Sequence, residues 1–268
     1  MTEASKVAGL ALDPFNSKGR KHRRRIVTSI VEDYLDEHDG LVLDDEKAAR
    51  LAALVTTPPR DRSGSFSGSA RGTCERAQVF QFLGVPKGGR GIDTKLQSVF
   101  LDGTWRHLRW QMLLLAAGER YSIPVEVEVP FRNEDLRLRG SVDGIVDGHG
   151  FELKGTRAFQ SARSKPFAAH VLQVHSYMVL TGLDTFSIVY EDKATQDTSE
   201  HIIERNPKTE AKVRGELERL NAAIDTEALP AVQRGCSSEV KSQEWWDCPY
   251  RSVCDQHDYA SAAEAGRG

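Results

Sequence analysis

The sequence predicts an α/β or α+β core, with a small mixed sheet in the middle of the chain and helices before and after it. Three observations carry this. "IPVEVEVPF", "LRLRGSVDGIVD" and "GFELKG" alternate apolar and polar residues with period two, the signature of half-buried strands. Upstream, "IVTSIVEDYLDEH" and "GTWRHLRWQMLLLAAG" space their apolar residues helically. Downstream, "SKPFAAHVLQVHSYMVLTG" returns to helix before a further strand pair, "TFSIVYED" and "SEHIIER".

In chain order, the basic arm "GRKHRRR" leads into a first helix whose inner face is Ile26, Ile30, Val31 and Tyr34. "DDEKAARLAALV" is a second short helix, with Asp44 or Asp45 as its cap. "TTPPRDRSGSFSGSARG", rich in Pro, Gly and Ser, is expected to be a mobile connector or subdomain joint. "CERAQVFQFLG" is a helix stopped by Gly84, and "GTWRHLRWQMLLLAAG" a longer, mostly buried one with a glycine at each end. Pro166 stands where a first helical turn tolerates it. "KTEAKVRGELERLNAAID" is an amphipathic, solvent-facing helix, followed by a tail rich in Cys and Trp.

A chain of 268 residues buries a real core and reads as one large domain, or one domain with an added lobe. No apolar run reaches the ~18 residues of a membrane span, and the N-terminal basic cluster follows a weak apolar stretch, the wrong order for a secretory signal. The expected location is therefore the cytoplasm, without membrane partners. There the four cysteines, Cys74, Cys236, Cys248 and Cys254, favour metal or cluster ligation over disulfides. No Gly-x-x-x-x-Gly-Lys-Ser/Thr phosphate loop occurs, so ATP-driven unwinding would fall to a partner.

The hairpin "RGSVDGIVDGHGFELKG" carries the chemistry. On its second strand Glu152 and Lys154 point one way, Phe151 and Leu153 the other. On its first, Leu136, Leu138 and Val142 share a face opposite Arg137, Arg139, Ser141 and Asp143. A turn centred on Gly148-His149 sets Asp143 opposite Lys154 and diagonal to Glu152, about 7–8 Å away. One centred on Asp147-Gly148 sets Asp143 directly opposite Glu152, and a three-residue loop moves Glu152 to the wrong face. Two carboxylates and a lysine on one face suit a hard cation such as Mg²⁺, which polarises a phosphate and acidifies a bound water. The plain alternative is a solvated Glu–Lys pair on a strand edge.

"GSVDGIVD…FELKG" resembles the motif core of PD-(D/E)XK nucleases, in which an Asp on one strand precedes a Glu-x-Lys on the next. More narrowly it is similar to the RecB-like branch, with which four more stretches agree. "GTWRH" matches an upstream Gly-x-x-x-His through Gly103 and His107, and "QVHSY" a downstream Gln-x-x-x-Tyr through Gln173 and Tyr177. The latter pair shares a helix face, with His170 one turn earlier. "CERAQVFQFLG" and "CPYRSVC" resemble the cysteine segments of iron–sulfur members, the AddB nuclease domain and the CRISPR-associated exonuclease. One departure stands out: eleven residues separate Cys236 from Cys248, where those members place Cys-x-x-Cys.

The resemblance implies a restriction-endonuclease-like α/β core over 64–268, joined to an iron–sulfur lobe made by Cys74 and 236–254. Residues 1–63 would form an N-terminal helical region with a basic arm. It implies a DNA exonuclease acting on single strands or DNA ends in recombination, repair or degradation, with a helicase or recombination protein as a possible partner. His107, Asp143, Glu152 and the Leu153 carbonyl would bind Mg²⁺ or Mn²⁺, and Lys154 would orient the attacking water. Gln173 and Tyr177 would position a scissile phosphate or flanking base. Cys74, Cys236, Cys248 and Cys254 would hold a [4Fe–4S] cluster, although four thiolates also suit zinc. For DNA contacts the candidates are Arg20 to Arg25, Arg60, Arg62 and Arg71, and above all Arg157, Arg163, Lys165 and His170, with Phe159 and Trp105 to stack on bases. A non-catalytic DNA-binding module with a Cys₄ cluster or zinc site is the alternative.

Overall fold

In the computed structural model, residues 25–38, 40–56, 63–88, 94–233, 236, 243–255 and 257–267 are described. Helix α1 (Val27–Glu37) buries Val27, Val31 and Tyr34. Its cap residue, Ile26, offers no side-chain acceptor. The Glu200 carboxylate instead takes the amides of Ile26, Val27 and Thr28 at 3.0–3.1 Å, satisfying donors that a helix start leaves unpaired. Helix α2 (Asp45–Thr56) is capped by Asp44, which accepts the Lys47 amide at 2.7 Å.

The expected connector divides. Residues 57–62, with Arg60 and Arg62, lie outside the described residues, as do Arg20 to Arg24. The rest is built into the core: β1 (Phe66–Ser67) pairs in parallel with Leu138 and Arg139, and Phe66 is buried. Two paired residues followed by a 3₁₀ turn at Gly68–Ala70 leave no periodicity to read. Helix α3 (Glu75–Leu83) stops at Gly84, whose left-handed φ of 77° closes the cap.

Helix α4 (Thr94–Tyr121) runs straight through both glycines expected to bound it. Gly118 is a close-approach residue, since a Cβ there would meet the Val125 side chain at 2.7 Å and the Ile123 carbonyl at 2.9 Å. Strands β2 (Val125–Asn133), β3 (Leu138–Val146) and β4 (His149–Thr156) then form an antiparallel meander. Helices α5 (Phe159–Ser164) and α6 (Ala168–Thr181) cross to β5 (Thr185–Asp192), parallel to β4, and β6 (Thr198–Glu204) pairs antiparallel with it. Helix α7 (Pro207–Asp225) starts on Asn206, whose side chain accepts the Lys208 and Thr209 amides. Short helices α8 (Gln243–Asp247) and α9 (Tyr259–Ala265) follow.

The layers are those of an α/β sandwich. Trp110, Leu113 and Leu114 of α4, with α1, cover Val146, Phe151, Leu153 and Val189 on one face. Phe159 of α5 and Val174, Tyr177 and Met178 of α6 cover Val142, Phe186, Ile188 and Tyr190 on the other. Strands β4 and β5 are therefore buried on both sides, as parallel neighbours under helices are.

The ends of the domain meet through α3. The Arg76 guanidinium donates to the carbonyls of Pro230, Cys254 and His257 at 2.8–2.9 Å, and Phe80 packs on Tyr250. Among the described residues no helix is long and apolar enough to cross a membrane.

Candidate active site at a strand fork

Strand β2 occupies one whole edge of β3, so β1 and β4 must share the other. β1 takes Leu138 and Arg139, β4 takes Gly144 to Val146, and the Gly140–Asp143 stretch between them has no strand on that side. The turn that sets this register is Asp147-Gly148, with φ of 48° and 75°, the two left-handed residues of a type I′ hairpin. Continued, that register would face Asp143 with Glu152, but pairing stops at Gly144↔Phe151. Gly144 has no room for a side chain: a Cβ would lie 2.3 Å from the Phe151 ring and 2.7 Å from the Glu126 carbonyl.

At the next residue the side chain takes over from the ladder. Asp143 Oδ2 accepts the Leu153 amide at 2.7 Å. Across the other edge, Glu128 faces Asp143 with a left-handed φ of 50° and drops out of the pairing. The break reverses the faces. Val127 and Val146 pack toward α4, whereas Phe131 and Val142 pack toward α6, although residues of equal parity share a face on a regular strand. The fork thus turns Asp143 toward α4 and leaves Glu152 toward α6.

Helix α4 brings His107, whose Nδ1 lies 3.2 Å from Asp143 Oδ1. Ligand atoms of His107, Glu128 and Asp143 all fall within 4.8 Å of one another, a triangle able to hold a metal ion. It borders a cleft of about 360 Å³ lined also by Gly103, Thr104 and Gln111. Glu128 is held by Gln111 Nε2 at 2.8 Å and by the Ser141 hydroxyl at 2.9 Å. On the far side of the fork, Glu152 Oε1 meets Lys154 Nζ at 2.5 Å and accepts Gln173 Nε2 at 2.7 Å. Gln173 also donates to the Tyr177 hydroxyl at 2.8 Å. Glu152 Oε2 is buried without a hydrogen-bond partner.

The charges are strongly perturbed. Burial alone would lower the His107 pKa, but the Asp143 carboxylate and its hydrogen bond outweigh it and raise it to about 9. Burial raises the Glu152 pKa and nearby Asp143 adds to that, to about 7, against the pull of Lys154. Asp143 is held low: burial opposes its charge, but His107 and the Leu153 amide prevail. For Lys154 burial favours the neutral amine, and the Glu152 carboxylate overrides it.

Other residues singled out by the sequence fall as follows. Arg157, Arg163 and Lys165 are exposed just beyond β4, and His170 is half-buried on the α6 face that carries Gln173. Tyr177 is 4 % exposed, its ring against Gly68 and Gly140, so it braces Gln173 from within the core. Phe159 cannot stack on a base, being a core residue beneath β5, whereas Trp105 is 53 % exposed. Arg71 cannot track DNA either: it is buried and pairs with Glu216. Arg25 is tied to Thr28, Glu32 and Thr198. The four cysteines form no disulfide with one another and line one cavity with Phe80, Trp245 and Tyr250.

Two groups were not foreseen. Glu128 is one of two equivalent glutamates in "VEVEV", and only its place opposite Asp143 selects it. Glu191, 1 % exposed, takes Arg106, Arg109 and the Trp110 indole at 2.6 Å, gripping α4 on both sides of His107.

Fold and site together define a class: an α/β domain whose acidic, lysine-bearing candidate cation site lies where two strands part. The sequence matches the PD-(D/E)XK nuclease superfamily over residues 68–255, most of the chain, and the protein belongs to that superfamily. No curated protein matches it. Among solved structures, it resembles the alkaline exonuclease LHK-Exo of Laribacter hongkongensis at 18 % identity and a TM-score of 0.46, over 62 % of this chain and 90 % of that one. A phage-related exonuclease from Haemophilus somnus 129PT matches at 12 % identity and a TM-score of 0.37, over 60 % and 94 % of the chains. SSO0001 matches at 14 % and 0.40, over 86 % and 96 %.

Proposed function

We propose that the protein is a divalent-cation-dependent deoxyribonuclease, an exonuclease acting on single-stranded DNA or DNA ends, and that it cuts at the fork. The observation that carries this reading is Glu152 Oε2, a buried oxygen with no hydrogen-bond partner, on a carboxylate whose charge interacts with Asp143 and His107 across the fork. An unpaired buried acceptor is expensive unless a ligand completes it.

His107, Asp143 and Glu152 are the ligands in this reading, with Glu128 and the Leu153 carbonyl as further donors. Mg²⁺ or Mn²⁺ bound there supplies positive charge for the scissile phosphate and acidifies a water. The chain's own residues do the rest. The Leu153 amide fixes Asp143 Oδ2, and Oδ1 faces His107 at the cleft. Gln173, braced by Tyr177, fixes Glu152 Oε1 and leaves Oε2 open. Lys154, kept charged by Glu152, orients the attacking water or meets charge developing on the phosphate. Arg157, Arg163 and Lys165 track the backbone.

The four thiols form the second part of the proposal, a structural [4Fe–4S] cluster joining residues 64–88 to the C-terminal segment. Their chemistry suits it, and all four line one cavity, although four thiolates also suit zinc. Residues 1–63 are read as an N-terminal helical region with a basic arm, its α1 packed into the core, and the setting as cytoplasmic DNA recombination, repair or degradation beside a helicase.

One paired experiment tests both parts. The protein is purified without oxygen, its visible spectrum recorded, and single- and double-stranded DNA digestion followed with Mn²⁺ beside Glu152→Ala and Lys154→Ala. Metal-dependent digestion lost in both variants is expected. Undiminished digestion by either variant would overturn the catalytic assignment, and a colourless zinc-bearing protein would overturn the cluster.

A further inference from the structure

His170 lies on the α6 face of Gln173 and Tyr177, and its Nδ1 faces the Tyr190 hydroxyl. The Tyr190 hydroxyl oxygen accepts the Phe167 amide at 3.0 Å and lies 2.8 Å from His170 Nδ1. A phenol has one proton to give, and with its oxygen already accepting an amide the arrangement favours giving that proton to Nδ1. An imidazole accepting at Nδ1 carries its own proton on Nε2. The ring cannot swing to exchange the two nitrogens freely, because Phe167 meets it edge-on and Tyr190 lies beside it, each with centroids 5.6 Å away.

Position adds the second half. Tyr190 is the partner of Lys154 in the β4–β5 pairing, so the His170 ring stands over the lysine end of the site. Burial and the Lys154 ammonium together hold its pKa near 4, so it is uncharged at neutral pH. The ring is only half-buried.

We propose that His170, with its proton fixed on Nε2 by Tyr190, is a neutral hydrogen-bond donor to a phosphate of the DNA strand seated at Lys154. This rests on the nuclease reading above and deepens it. A neutral donor beside an ammonium grips a phosphate oxygen without repelling Lys154 or the cation, and cannot take a proton from the attacking water while Nδ1 is occupied.

Three variants separate this from a packing role. His170→Asn keeps a polar group near the Tyr190 contact but presents nothing at Nε2; His170→Gln places an amide donor near Nε2; Tyr190→Phe releases Nδ1. Their affinity for a fluorescent single-stranded oligonucleotide is measured in Ca²⁺, and kcat/KM in Mn²⁺, with melting temperature as the folding control. In ¹⁵N-histidine NMR of the whole protein, the signal absent from His170→Gln reports the tautomer. The Nε2–H tautomer is expected, with oligonucleotide affinity down about 10- to 100-fold in His170→Asn and largely restored in His170→Gln, the range of a hydrogen bond to a charged group. The Nδ1–H tautomer, or equal losses in the Asn and Gln variants, or no loss in either, would overturn it. Wild-type protein that binds in this pattern but cuts no DNA would sink the nuclease reading and leave the phosphate contact standing.

Discussion

Glu152 is held between two demands: its burial favours the acid, and a cation needs the anion. The signs can be worked out. Its pKa is raised from 4.5 to about 7 and that of His107 from 6.5 to about 9, so each binds its proton more tightly folded than unfolded. Both contribute stability at low pH. The part from Glu152 is lost as pH rises through about 7, and that from His107 as it rises through about 9. The metal-free protein should therefore melt progressively lower between about pH 5 and pH 9, and Mn²⁺ should raise the midpoint more at the alkaline end. Binding must displace both protons, so calorimetry near pH 7 in buffers of different ionisation enthalpy should register proton release. An uptake of protons would contradict the assignment. Glu128→Gln keeps groups able to meet Gln111 and Ser141 but removes one anionic ligand atom. The Mn²⁺ concentration for half-maximal digestion should rise about 10- to 100-fold, by analogy with groups that support a metal site. An unchanged requirement would remove Glu128 from the site.

At the scale of elements, two glycines make opposite predictions. Gly144→Ala drives a methyl into the Phe151 ring and the Glu126 carbonyl at the point where the strands part. It should lower stability by about 1–3 kcal/mol in urea titration and disturb the site with it. Gly103 sits in the middle of α4 with nothing within 4 Å of an added Cβ. Gly103→Ala should raise stability by about 0.5–1 kcal/mol. If digestion falls as stability rises, the bare helix surface beside His107 serves the approach of DNA. The same elements mark how far the sequence could be read. Strands β2 to β4 were legible because each is eight or nine residues long and carries an alternating stretch, such as Phe151 to Lys154 in β4. Strand β1 was not, since its two residues gain their structure from pairing with Leu138 and Arg139, far along the chain. Helix α4 was cut short because glycine reads as a stop locally, whereas at Gly118 it answers the closeness of β2.

The whole molecule is closed by Arg76, which ties three carbonyls of the chain's last third to α3. "Cys-Glu-Arg" therefore joins a thiol at the cysteine cavity to the clamp behind it. Arg76→Ala strands those carbonyls and should lower stability by about 2–3 kcal/mol, seen as faster amide exchange in Tyr250 and Val253 than in β4 and β5. Uniform exchange across the domain would argue against a separately closing lobe. Cys254→Ser in the same background tests the proposed cluster: visible absorbance should vanish with the serine.

The sequence by itself determined the layered α/β core, the strands that bear Asp143, Glu152 and Lys154, and the company of His107, Gln173 and Tyr177. Each is a local pattern, a period or a spacing, and such patterns survive without knowledge of distant contacts. Tertiary structure alone decided the Asp147-Gly148 turn, the end of pairing at Gly144 and the entry of Glu128. It also decided which exposed-looking residues, Arg71 and Phe159 among them, are interior. All of these depend on what stands across from a residue, and a strand's neighbours are set by the packed sheet.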